Sequence, residues 1–72
     1  MDEEGLRMRL AQVDENIAQN DIRISHQMEA TASRERHNLP IVQSKNMIET
    51  FKAVRASYIA ERYRILTELA SR

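Results

Sequence analysis

Hydrophobic residues recur along this chain in two long runs with helical spacing, separated by one break at His37-Asn38-Leu39-Pro40. In the first run Leu6, Leu10, Val13, Ile17, Ile24 and Met28 fall within an arc of about 60° at 100° per residue. That is a narrow stripe, the width of a seam to a single partner helix. Asn20 lies on its edge, where an apolar residue is expected. Nothing but Gly5 weakens a helix from Asp2 to about His37. Acidic Asp2, Glu3 and Glu4 at one end and basic Arg34, Arg36 and His37 at the other complement the helix dipole.

Pro40 cannot continue a helix from before it, and it drives Leu39 out of the α region. Asn38 is the favoured cap for a second helix, with Pro40 in its first turn. Ser44 is the other candidate, with residues 39–43 extended. The second helix then runs from about residue 41 to about residue 70. Its apolar arc is wider, about 140°. Val54, Ile65, Met47, Tyr58, Phe51 and Leu69 form one row, and Ile41, Ile48, Ile59 and Leu66 form another. Arg55 and Arg62, two turns apart, run between the rows.

Matched runs joined by a short break predict an all-α fold: a two-helix antiparallel hairpin, with helices of about 50 and 45 Å. The competing architecture is one long helix, kinked at Pro40, in an extended coiled coil. Folding the chain at the break sets Val13 against Ile65, Ile17 against Ile59, Ile24 against Val54 and Met28 against Ile48. In the same register Arg55 faces Asp21, Arg62 faces Asp14 or Glu15, and Arg9 on the other flank faces Glu68. Flank pairing of Arg55 and Arg62 with Asp21 and Asp14 is therefore the expected arrangement. The plainer alternative lays the arginine stems along apolar surface with their heads in water, and an anion site is the third.

The row beyond the arginines has no cover in a two-helix fold. Ile41, Ile48, Arg55, Ile59, Arg62 and Leu66 are the predicted interaction face, since an uncovered apolar row marks a contact surface. A second copy, giving a homodimer and a four-helix bundle, is the simplest cover. A helical protein partner on the same face is the alternative.

Length and composition sharpen this picture. Seventy-two residues make a single helical-hairpin domain; a chain so short buries only about 60% of its unfolded surface. Small domains compensate with disulfides, metals, oligomerisation or close helix packing. The chain has no cysteine, so the last two are expected. Eleven basic and eleven acidic residues leave no net charge, which argues against a general pull towards nucleic acid or anionic membrane. No apolar run approaches the ~18 residues of a membrane span, and the acidic start does not resemble a signal peptide. A cytoplasmic protein is expected.

Candidate chemistry is sparse. His26 and His37 form no ligand pair, and His26-x-x-Glu29 stands alone at a spacing that binds metal only weakly. There is no nucleophile elbow, no glycine-rich phosphate loop and no loop long enough for an oxyanion hole. No catalytic, cofactor-binding or metal residue is expected, and no enzyme. The expected function is a small helical protein–protein interaction module: an adaptor, assembly factor or small chaperone that docks through an apolar helix face. The alternative is a nucleic-acid-associated regulator using the basic side of helix 2, with Lys45, Lys52, Arg55, Arg62, Arg64 and Arg72, although Glu49, Glu61 and Glu68 interrupt that side.

Overall fold

Asp2 starts the first helix: its carboxylate accepts from the Gly5 amide at 2.7 Å, satisfying one of the free donors of the first turn. The computed structural model describes residues 2–72. Two antiparallel helices, α1 (Glu3–Arg36) and α2 (Val42–Ala70), pack along their lengths. The hairpin is 55 Å long and 14 Å in each other direction. Among the described residues there is no strand.

The break is built differently from the expectation. Asn38 does not cap α2; it terminates α1. It takes the left-handed conformation, φ 56°, which asparagine tolerates better than most residues. The Leu39 amide then reaches back to the Arg34 carbonyl at 2.9 Å, and the Asn38 amide to the Glu35 carbonyl at 3.2 Å. This is a Schellman closure, with Pro40 placed just beyond, where proline commonly follows a helix end. Ser44 is not the cap either. The turn ends at Ile41, whose side chain cannot cap, and the Lys45 amide bonds to its carbonyl at 2.9 Å. With no acidic residue in its first turn, α2 starts without side-chain support.

Burial follows a repeat of 3.5 residues rather than 3.6. On α1, Leu6, Leu10, Val13, Ile17, Asn20, Ile24, Gln27 and Thr31 are all buried or half-buried, spaced alternately by four and three. On α2 the corresponding series is Ser44, Ile48, Phe51, Arg55, Tyr58, Arg62, Ile65 and Leu69; all but Arg62 are at least half-buried. This is the seam of a coiled coil. A helix read at 3.6 residues per turn drifts about 20° per heptad from this repeat, and that drift accounts for several misplaced residues. Ile48, expected in the outer row, is buried in the seam. Met28, Met47 and Val54, expected inside, lie one position off the seam and are exposed. Thr31, not anticipated, is buried, its hydroxyl donating to the Gln27 carbonyl at 2.8 Å.

Apolar packing is concentrated away from the hinge. Leu6, Val13 and Ile65 form the core, with Leu10, Ile17, Tyr58 and Leu69 against them. Towards the hinge the seam turns polar: Asn20, Gln27, Thr31 and Ser44 alternate with Ile24, Ile48 and Phe51. Asn20 is 2% exposed and donates through Nδ2 to the Phe51 carbonyl at 2.6 Å. A lone buried asparagine is a register device in coiled coils, because any other alignment leaves its amide unpaired in the seam. Local stability tracks buried apolar contacts. Hydrogen exchange on the intact chain is therefore expected to show the slowest amides in residues 10–17 and 58–66. Exchange about tenfold or more faster is expected in residues 27–34 and 44–50. Greater protection near the hinge than at the open end would contradict a core placed at the termini.

Candidate interaction face

The two flanks of the seam differ in chemistry. On one, Arg55 Nε donates to Asp21 Oδ1 at 2.5 Å and Arg62 Nε to Asp14 Oδ1 at 2.7 Å. Both arginines occupy seam positions, where the 3.5-residue repeat would place an apolar side chain. Each instead carries its stem across the seam edge and its guanidinium out to the flank. All four side chains remain 40–49% exposed, so each pair contributes about 0–1 kcal/mol, the value of a solvated ion pair. Arg55 and Arg62 make no other hydrogen bond within the described chain. The guanidinium groups are thus paired with aspartates rather than left to water alone.

On the opposite flank Arg9 meets Glu61, not the expected Glu68: Nε donates to Oε1 at 2.6 Å. Glu68 is taken by Arg72 at 3.4 Å, one turn along its own helix. Glu61 lies nearer the hinge than the partner that the register of the aspartate pairs gives Arg9. Glu61 and Glu68 lie two turns apart on one face of α2, and Arg9 pairs with the one nearer the hinge. The hydrogen bond from Arg9 holds the Glu61 carboxyl below its ordinary range, against the opposing effect of partial desolvation. The same bond raises the Arg9 guanidinium.

Of the predicted face, Ile48 is buried in the seam, Ile41 is half-buried at the turn, and Ile59 and Leu66 are 42% and 37% exposed. The structure brings Ile59 together with Arg55, Asp21, Ile24, Lys52 and Ala56 around a shallow groove of about 550 Å³. Lys52 also borders a second groove, about 540 Å³, where Met28 and Ala32 of α1 face Lys45 and Ile48 of α2. The surface is therefore continuous along the aspartate–arginine flank. Tyr63, one turn from Ile59 and 72% exposed, extends it towards the open end. Lys45, Lys52, Ala56 and Tyr63 were not assigned to the face from the sequence. The 3.5-residue repeat finds them, since they fall one or two positions beyond the seam on the same side as Ile59.

The face has a charge polarity. Its α1 edge is mainly acidic, with Asp14, Asp21 and Glu35 against Arg7 near the open end, and its α2 edge is mainly basic, with Lys45, Lys52, Arg55 and Arg62 against Glu49. Among the described residues no three histidine, aspartate or glutamate side chains come close enough to hold a metal ion. Among the described residues no helix is long and apolar enough to cross a membrane. No protein-family model, curated protein or solved structure matches this chain.

Acidification tests the Arg9–Glu61 pair. Its carboxyl has a lowered folded-state pKa, so its contribution is present above the ordinary glutamate value of 4.5 and is lost as pH falls through the lower folded value. Wild type is expected to lose more stability than Glu61→Gln between pH 4.5 and more acidic conditions, measured by urea unfolding followed by circular dichroism. Equal losses in the two proteins would remove Glu61 from the account.

Proposed function

We propose that this chain is a non-catalytic helical interaction module that docks a helical protein segment on its aspartate–arginine flank. The observation carrying this reading is that Ile59 and Leu66 stand outside the seam, and that Ile59 borders a groove that none of the described residues fills. An amphipathic helix laid along the flank would seat its apolar face between the two helix edges, in the manner of helix-in-groove recognition. Its polar margins would meet an acidic row on one side and a basic row on the other. Adaptors and assembly factors work through surfaces of this kind.

Nucleic-acid binding through the basic side of α2 finds less support. Arg55 and Arg62, central to that side, already donate to aspartates, and Lys52 lies within 3.9 Å of Glu49. A phosphate backbone would have to compete with these carboxylates.

Site-specific photo-crosslinking in cells of origin tests the docking reading. A benzophenone side chain at Tyr63, beside Ile59 and Leu66, is expected to yield polypeptide adducts of discrete mass, identifiable by mass spectrometry. Those adducts are expected to vanish when Ile59→Glu and Leu66→Glu are added, with helix content unchanged. The same probe at Thr50, on the other side of α2, is expected to give none. Adducts of equal yield from both positions, or from neither, would contradict the assignment of the face.

A further inference from the structure

We infer that the segment docked on this flank is a second copy of the same hairpin. The two copies are related by a two-fold axis parallel to the helices, with both hinges at one end. The inference rests on the docking reading and adds the occupant and its orientation.

Area gives the first argument. The hairpin exposes 5421 Å², whereas a compact monomer of 8.4 kDa exposes about 4,600 Å². The excess, about 800 Å², is what one partner contributes to a stable interface of ordinary size. A two-layer hairpin has only one internal contact, and pairing it with a copy forms the four-helix arrangement in which each helix gains a second neighbour.

Charge gives the orientation. Face-to-face packing of two hairpins on this flank allows two kinds of two-fold axis in the plane of contact. An axis across the helices would lay α1 on the partner's α1 and α2 on the partner's α2. That sets the acidic edge against an acidic edge and the basic edge against a basic one, and like charges brought together across an interface are costly. An axis along the helices lays α2 of each copy on α1 of the other. The row of Lys45, Lys52, Arg55 and Arg62 then faces Asp14, Asp21 and Glu35 across the interface. Arg55 and Arg62 each donate only through Nε within the hairpin, which leaves their terminal nitrogens for this contact.

Shape agrees with the same axis. Ala11, Ala18, Ser25 and Ala32 recur every seven residues on α1, one step beyond its aspartates. They form a strip of small side chains. On α2, Ile59 and Leu66 project from the position that the aspartates hold on α1, and Tyr63 from the position that the strip holds. Laying α2 on the partner's α1 puts large side chains over small ones, as close helix packing requires.

The chain has no cysteine, so Gln43→Cys, on the exposed surface beside the hinge, provides a single site for a spin label. Sedimentation equilibrium is expected to show a dimer. Pulsed electron-spin measurement is expected to place the two labels within about twice the 14 Å hairpin width. Ile59→Glu is expected to raise the dissociation constant about thirtyfold or more, the loss of a central anchor, while Val54→Glu on the opposite flank leaves it unchanged. Circular dichroism of each variant separates loss of pairing from loss of folding, and Leu66→Glu serves in place of Ile59→Glu should the latter unfold. Labels separated by nearly the 55 Å length of the hairpin would overturn the orientation while keeping the face. A dimer indifferent to both substitutions, or a folded monomer at every concentration, would overturn the second copy as occupant. A monomer that still gives Tyr63 adducts with another polypeptide would leave the docking reading standing; a monomer with no adducts would remove both.

Discussion

Everything in this hairpin depends on a seam that repeats every 3.5 residues and tolerates charge within it. Arg55 and Arg62 stand at seam positions where a fully apolar repeat would have leucine or isoleucine. A buried guanidinium without a partner is strongly unfavourable. The side chain therefore leaves the seam, and Asp21 and Asp14 on the facing helix receive it at the flank. Two consequences follow. The space between the helices is shared by arginine stems and apolar groups, and the flank that receives the guanidinium groups is committed to a ladder of alternating charge. Ile59 and Leu66, one step further round, are left facing outward beside that ladder.

The polar seam residues divide the molecule into unequal halves. At the open end Leu6, Val13 and Ile65 make an apolar core. Towards the hinge, Asn20 gives a directional bond to the Phe51 carbonyl where a leucine would give only burial. An all-apolar seam would be better packed but indifferent to sliding by a heptad, because every layer would resemble the next. Asn20 and the two arginine–aspartate pairs each fit one alignment. The contributions of the solvated pairs to stability are small, so their main effect is to select the register and, with it, the set of residues left on the outer face.

Much of this was legible in the sequence, and the parts that were not share a cause. The helices, the hairpin and the Arg55–Asp21 and Arg62–Asp14 contacts follow from spacing and a single break. Assigning faces at 3.6 residues per turn fails over four heptads, since the accumulated drift approaches the width of a seam. At that spacing Ile48 falls outside and Met28 inside, the reverse of their burial, and one seam splits into two rows on α2. Asn38 was misread for a different reason. Asparagine favours both helix starts and left-handed helix ends; Pro40, which forces Leu39 to be extended, makes the second use the compatible one here. Arg9 finds Glu61 rather than Glu68: the two glutamates share one face of α2 two turns apart, and spacing alone does not choose between them. The outer face was only partly legible: Ile59 and Leu66 stand out as apolar residues, but Lys52, Ala56 and Tyr63 acquire meaning only once the seam is known.

Methyl-to-methyl nuclear Overhauser contacts between the helices are the most direct test of the register on which this account stands. With selectively labelled Ile, Leu and Val methyl groups, Val13 should contact Ile65, its neighbour in the core, and show none to Ile59 or Leu66. Contacts from Val13 to Ile59 or Leu66 in place of Ile65 would mean that the seam runs through the row assigned to the outer face. The charge ladder, the grooves and the docking surface would then all be misplaced.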